Sequence, residues 1–391
     1  MRLLHLHTRL AAYYFFYYAT VGAFMPYWAP YLAARGFSAT QIGIAFALSG
    51  VSRATMPFLW GWLGDHSGRH IGLVRLTSST SLLLFLTIPF VRGFLPITLA
   101  MLAYNLFWQA LLSQFETVSL AHLQRSGGDY ARVRLWGSVG FVVAVLGLAP
   151  LLTTFGILAL PWLVGVLFAG MAAASFAVPE THAPANTSTA SAPDLMQVVR
   201  RPEVIGLLLA CLCSQMSFAP YYNFFTLFLE RHGHPRSVAG MLWAVAVVAE
   251  IGLFFYMRRV IARIGIRRLM LAALATTVLR WLLTVWLADN LGALVLVQMT
   301  HALSFGAYHA CAMHCIFRLF PGRLQGRGQA LYNASAYGIG GALGSIGAGA
   351  VWDHVRPEAS FLAAAIVAAI GTWLVWRHLP EASTQTAGVS A

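Results

Sequence analysis

The sequence predicts an all-α membrane protein of twelve transmembrane helices arranged as two pseudo-symmetric six-helix bundles. Three observations carry this expectation. The 391-residue chain is 59% hydrophobic and 9% charged, too few charges to cover a soluble protein of this size, and its mean hydropathy is +0.71. Apolar runs of span length, about 20 residues, follow one another with short loops between. The second half repeats the first at a constant offset.

The expected spans are 10–33, 40–63, 71–91, 95–119, 134–154, 157–178, 203–229, 237–257, 268–288, 292–317, 328–350 and 358–377. The basic start, Met1 to Arg9, leads into a span-length run with no small-residue cleavage site, so it reads as a span rather than a removed signal peptide. The polar stretch 181–199, rich in Pro, Ser, Thr and Ala, reads as a flexible linker. The chain therefore divides into an N-terminal bundle, 1–178, a cytoplasmic central loop, 179–202, a C-terminal bundle, 203–378, and a cytoplasmic tail, 379–391.

The repeat lies at offset 197. Leu32, Gly36, Gly43, Ala47 and Val51 recur as Leu229, Gly233, Gly240, Ala244 and Val248, and Gly68 recurs as Gly265. An even number of spans between copies puts both halves in the same orientation, the arrangement of two bundles that rock about a midplane site.

All 25 Lys-plus-Arg positions are Arg, and the formal net charge is +13. In a soluble protein this charge would suggest nucleic acid. Here the arginines sit between spans, so membrane orientation is the expected cause and no nucleic-acid partner is expected. With the N-terminus cytoplasmic, eighteen arginines lie inside and five (Arg35, Arg92, Arg231, Arg236, Arg356) outside. Both termini are thus expected in the cytoplasm of a bacterial inner membrane. The four cysteines all fall within spans and read as free packing thiols, so no metal site is expected.

Arg53 and Arg280 lie inside spans. A charge at mid-bilayer depth costs roughly 3 kcal/mol or more, so it faces a partner or a watery cavity. The repeat carries Arg53 onto Glu250. Glu250 reads either as half of a structural ion pair with Arg280 or as a protonatable carboxylate. Span four places Asn105, Gln109, Ser113 and Glu116 on one face, with Arg132 or Arg134 near enough to meet Glu116. The other reading of Glu116 is a helix-end charge reaching water. Span ten places Gln298, His301, Ser304 and Tyr308 on one face, and His301 reads as proton-handling or as a bonded packing residue. Aromatic stripes mark span one (Tyr13, Tyr17, Thr20, Phe24, Tyr27, Tyr31) and span seven (Gln215, Phe218, Tyr222, Phe225, with Asn223 beside them). Such stripes serve packing, lipid contact or a substrate wall.

The loop after span two, Gly61-Trp62-Leu63-Gly64-Asp65-His66-Ser67-Gly68-Arg69-His70, resembles the major facilitator signature. Gly61 and Gly64 permit close helix approach, Gly68 the turn, and Asp65 and Arg69 supply charges for a conformational latch. The second half has Ala262 where Asp65 stood. Further strings resemble the phenylpropionate permease group: Pro26-Tyr27-Trp28, Val133-Arg134-Leu135-Trp136-Gly137-Ser138, Val248-Ala249-Glu250, Arg280-Trp281, and the His301 to His309 spacing. That group lies near the oligosaccharide:proton symporters and nucleoside permeases. In the oligosaccharide symporters a span-eight carboxylate, a span-nine Arg and a span-ten His form the coupling network. The resemblance therefore implies such roles for Glu250, Arg280 and His301, although the second carboxylate of the sugar symporters has no counterpart here.

These readings converge on a proton-coupled importer of a small organic acid such as a phenylpropionate-like carboxylate. Glu250, Glu116 and His301 are the expected proton carriers. Arg53, Arg280, Tyr27, Asn105, Gln109, Gln215, Tyr222, Asn223, Gln298 and Tyr308 are the expected substrate contacts. The expected partners are a small-molecule substrate and the lipid bilayer, the expected state is a monomer, and no cofactor is expected beyond the coupling proton. The alternatives are a sugar or nucleoside proton symporter, or an efflux pump of the same fold. An enzyme is not expected, because no H-E-x-x-H, G-x-S-x-G or Walker-type run occurs.

Overall fold

The computed structural model describes residues 2–180, 195–322 and 324–380, nearly all of them helical. Most of the central loop and of the C-terminal tail fall outside the described residues. The N-terminal half holds α1 (Arg2–Ala34), α2 (Ala39–Ser67), α3 (His70–Phe85), α4 (Phe94–Ser126), α5 (Tyr130–Phe155) and α6 (Leu160–Ala177). The C-terminal half holds α7 (Pro202–Arg231), α8 (Arg236–Ile264), α9 (Ile266–Trp286), α10 (Leu291–Leu319), α11 (324–354) and α12 (Pro357–His378). Ten of these runs are long and apolar enough to cross a membrane; the other two are α1, rich in tyrosine, and α11, rich in glycine.

Two helices are not α-helical throughout. A π-helical segment, Ala302–Ala307, interrupts α10, and a second, Asn333–Gly340, interrupts α11. The stretch expected as a flexible linker also ends in structure: Leu195–Val199 is a short helix, with Val198 buried beside Val204 and Leu207. Apolar residues at that end of the linker explain why it docks.

The repeat has a structural cause. Gly36 and Gly233 follow α1 and α7 with φ of 84° and 79°, and Gly68 and Gly265 follow α2 and α8 with φ of 64° and 81°. A side chain is strained at those angles, so glycine stands at the same turn in both halves. An acceptor repeats too, though its donors, Arg35 and His234, are 199 apart. Arg35 donates to the Val91 carbonyl, and His234 Nε2 lies 2.7 Å from the Ala288 carbonyl; positions 91 and 288 are again 197 apart.

The halves meet along α2–α11, α5–α8 and α1–α7. The closest approaches lie toward the end away from the chain termini. There a Cβ on Gly43 would stand 2.2 Å from the Ser345 carbonyl oxygen, and one on Gly240 would stand 2.7 Å from that of Val145. Among the described residues neither α4 nor α10 makes more than slight contact with the opposite half. A cleft between the halves therefore opens toward the face that carries the termini and the Gly61–Ser67 end of α2, and is shut at the far face.

Within the N-terminal half α1 packs on α5 through Gly140, where a Cβ would stand 2.1 Å from the Phe15 carbonyl oxygen, whereas a Cβ on Gly147 would meet nothing within 4 Å. Overpacking of this kind costs about 1–3 kcal/mol. Gly140→Ala is therefore expected to lower the melting temperature of the detergent-purified protein by several degrees, with Gly147→Ala unchanged; equal melting of both variants would contradict this packing.

Candidate functional site

The C-terminal half buries a cation. Arg280 of α9 is 0% exposed and makes no ion pair among the described residues. Its Nη1 donates to His301 Nδ1 at 2.8 Å and to Ser304 Oγ at 3.3 Å, and its Nη2 donates to Gln298 Oε1 at 2.8 Å. Aromatic faces surround it, with the guanidinium carbon 4.3 Å from the Tyr221 ring centre and 4.9 Å from that of Trp281. Such faces attract a desolvated cation by about 2 kcal/mol.

His301 stands between Arg280 and Glu250. A guanidinium can only donate, so His301 Nδ1 must accept. The ring proton therefore sits on Nε2, which lies 3.4 Å from Glu250 Oε2. Arg280 and Glu250 do not form the direct pair that their neighbouring spans suggested; the imidazole separates them. Glu250 rests against Gly306, where a Cβ would come within 3.1 Å of Glu250 Cγ. The wider turn of the π segment aligns residues four apart. His301, Phe305 and His309 stack along it with interplanar angles of 10° and 9°, and His309 Nδ1 lies 3.1 Å from the Tyr332 hydroxyl.

The N-terminal half carries a second cation on a ring. Arg134 of α5 donates to the Tyr18 hydroxyl and holds its guanidinium carbon 3.9 Å from that ring's centre and 5.8 Å from Tyr14's. Gly137 makes the room: a Cβ there would stand 2.6 Å from Tyr18 and 2.8 Å from Arg134 Nη1. The Tyr130 hydroxyl donates to Glu116 Oε1 at 3.2 Å. Arg132, the other basic neighbour proposed for Glu116, turns to Asp129 instead, at 3.6 Å. Arg53 is exposed, with its charge in electrostatic range of Tyr17 on α1 and Tyr337 on α11. It therefore reaches into the cleft between the halves.

The remaining expected residues divide into three groups. The amides are largely engaged with their own scaffold. Gln109 donates to Asn105 Oδ1 at 2.8 Å, Asn105 to Ser49 Oγ at 3.2 Å, and Asn223 to Ser345 Oγ at 2.8 Å. Gln298 serves Arg280, and Gln215 is buried with its Nε2 unbonded. Two tyrosines do not line the opening, contrary to expectation. Tyr27 is fully buried and donates to the Val145 carbonyl at 2.6 Å, and Tyr308 is fully buried against the Cys211 carbonyl. Tyr222 stays half-buried, stacked on Phe218 and Trp243. The segment expected as a loop is the last turns of α2 as far as Ser67: a Cβ on Gly64 would collide with His70 Nδ1 and Gln114 Oε1, which lie 2.9 Å apart, one on Gly61 would meet only Gln114, and Gly68 caps the helix. Asp65 is 80% exposed with His70 at 4.0 Å, and Arg69 is exposed, so this pair of charges is not latched to the other half in this state.

The sequence offers Arg134 as a partner for Glu116 and within the Val133–Ser138 string, not as a substrate contact, and it does not single out Tyr18, Tyr130, Tyr221 or Trp243. The signal for Arg134 was present, a basic residue between Val133 and Leu135 with Gly137 close behind.

A family model, described as MFS_1 like family, matches residues 7–363. A probable 3-phenylpropionic acid transporter of Escherichia coli (strain K12) is 30% identical over 88% of this chain and 91% of its own length. A maltose permease of Geobacillus stearothermophilus is 24% identical over 92% of this chain and 91% of its own length. Among solved structures, nucleoside transporter NupG matches with a TM-score of 0.84 at 16% identity, over 95% of this chain and 98% of that one, a likeness of fold alone.

The hydrogen bonding fixes one protonation pattern. Ring-nitrogen NMR of histidine-labelled protein is expected to show His301 neutral near neutral pH with its proton on Nε2; a proton on Nδ1 would contradict the Arg280 contact.

Proposed function

The chain belongs to the MFS_1 like family of membrane transporters, and on that premise we propose that it imports a small aromatic carboxylate together with a proton by alternating access. It is a multi-pass membrane transporter of the major facilitator fold, not an enzyme. The arginine distribution supports a bacterial inner membrane with both termini in the cytoplasm. On that orientation the described state is open to the cytoplasm and closed outside. A monomer without cofactor suffices for this mechanism.

The observation that carries the reading is the charge balance of the cleft. Three cations, Arg53, Arg134 and Arg280, stand against two acids, Glu116 and Glu250, which leaves one positive charge when both acids are ionised. A monoanion neutralises that excess. Two partly exposed rings beside the cations, Tyr18 on one side and Tyr222 on the other, offer contact to an aromatic body, with Tyr14, Phe218, Tyr221 and Trp243 packed behind them. A sugar or nucleoside needs free amides and hydroxyls, and Asn105, Gln109 and Asn223 are already bonded to protein partners, while the unbonded Nε2 atoms of Gln215 and Gln298 are buried. The choice of aromatic acid also follows the name of the Escherichia coli relative.

Coupling follows from the imidazole. A second proton on His301 would displace Arg280 from Nδ1, so an arriving proton is taken by Glu250. Neutral Glu250 leaves the cleft more positive and holds the carboxylate. Loss of that proton to the cytoplasm restores the negative charge and expels it. At an effective dielectric of about 20 and a separation of about 8 Å, one unit charge changes the anion's energy by about 2 kcal/mol, about thirtyfold in affinity.

Three measurements test this reading. In a thermal-shift screen, 3-phenylpropionate is expected to raise the melting temperature where maltose and uridine do not; the opposite ranking would favour a sugar or nucleoside carrier. Glu250→Gln is expected to abolish uptake driven by a pH gradient in vesicles yet spare substrate exchange, and full accumulation by that variant would remove Glu250 from coupling. Arg134→Gln is expected to raise the KM for 3-phenylpropionate at least tenfold, as loss of a charge-assisted contact would; an unchanged KM would take Arg134 out of the site.

A further inference from the structure

The far end of the α2–α11 seam is closed by a contact whose two parts come from opposite halves. The first N–H groups of a helix have no carbonyl of their own to bond. In α2 the Gln41 N–H goes to the Ser38 hydroxyl at 3.2 Å, and the Gln41 side chain returns a bond to the Ser38 N–H at 3.1 Å. Those two bonds stay within the N-terminal half. Ala39 and Thr40 instead give their N–H groups to Asp353 at the end of α11, at 3.1 Å to Oδ1 and 2.7 Å to Oδ2. The Thr40 hydroxyl donates to the Gly349 carbonyl at 3.4 Å. Gly349 lets the backbones come this close, since a Cβ there would stand 2.3 Å from the Ala39 carbonyl oxygen.

The contact has no twin. The repeat offset carries Asp353 back onto Gly156 and Ala39 forward onto Arg236. The pseudo-symmetric α5–α8 seam therefore lacks an acid at the matching place, and Arg236 pairs with Glu230 of its own half. At the other end of α2, Asp65 is 80% exposed and touches only His70 among the described residues.

We propose that Asp353 is a latch that holds the far mouth shut by capping the start of α2 across the two halves, and that this contact breaks each time the transporter turns to the other side. The proposal rests on the alternating-access reading above. A carboxylate on two free N–H groups at the positive end of a helix is a charge-assisted contact. When the halves part, the acid and both donors pass to water, so the whole contribution of the cap favours the closed far mouth. Among the described residues the α5–α8 seam has no such cap, which makes α2–α11 the seam that sets the balance between states.

The test reads the mouth directly. Spin labels on cysteines at Arg92 and Arg356, exposed loop positions at the far end of the two halves, report its width by pulsed electron resonance. Protein without the added cysteines controls for labelling of the native ones. Asp353→Asn, which keeps one acceptor but loses the charge, should raise the far-open population about fivefold, the scale of one helix cap, and Asp353→Ala should raise it further. Gln41→Ala removes a cap bond internal to one half and should leave the distribution as it was. Gly349→Ala should widen the mouth by crowding, with the acid untouched. If Gly349→Ala moves the distribution and both Asp353 variants leave it at wild type, even with a lower melting temperature, the latch is overturned and alternating access stands. If no variant moves it, Gly349→Ala included, the alternating-access reading fails with it.

Discussion

A guanidinium sealed among apolar helices needs partners for its N–H groups, and the arrangement of the C-terminal half follows from that requirement at Arg280, whose two Nη atoms are bonded while its Nε has no partner among the described residues. With no ion pair among the described residues, its charge is shared among His301, Ser304, Gln298 and the faces of Tyr221 and Trp281. Each of these is then committed. Gln298 presents its oxygen to Arg280 and has no acceptor for its own Nε2. His301 presents Nδ1, which leaves Nε2 for Glu250. The orientation of the one acid in this cluster is thereby a consequence of the buried cation. Removing a buried partner of this kind leaves donors unmet, at about 1–3 kcal/mol each, so the cluster behaves as one unit.

The seams between the halves obey a different constraint. Gly43, Gly240 and Gly349 sit where backbone meets backbone, and a methyl group at any of them would stand under 3 Å from a carbonyl oxygen. Such contacts hold little side-chain surface that must unpack, which suits surfaces that part and rejoin. Polar bonds there are few. Among the described residues, those across α2–α11 are the Asp353 cap and the Thr40 contact with Gly349. The two halves share a fold by repetition, yet their mouths are held by different chemistry.

Much of this was legible in the sequence. Composition, span-length runs and the glycines of the repeat suffice for the helices and the two halves, because a lipid-exposed surface and a positive φ each demand particular residue types. Charges inside spans, Arg280 and Glu250, identified one side of the cleft, because burying them is costly. What the sequence hid depends on contact across helices. Nothing in the order of residues from Ala302 to Ala307 announces a π segment, yet it brings Gly306 under Glu250. Tyr27 and Tyr308 sit on helices beside the cleft but turn into packing, because a stripe on a helix does not say which neighbour it meets. Asp353 reads as a loop acid until the start of α2 is seen beside it, 314 positions away.

The same electrostatics explains why an anion and a proton would travel together. An empty cleft with one excess positive charge is tolerable while water fills it, and the described state is open to water at the terminal face. Closing the cleft around cations alone would strip that water without replacing it, a cost that grows as the dielectric falls. A bound carboxylate cancels the excess, and a proton on Glu250 restores it, so the occupant is held most firmly when both are present. The anion is then lost most easily once the proton has gone, which ties the release of one to the release of the other. A transporter built on this balance needs no direct contact between its two cargoes, only a shared set of charges, with His301 keeping Arg280 and Glu250 apart so that the acid stays free to change state.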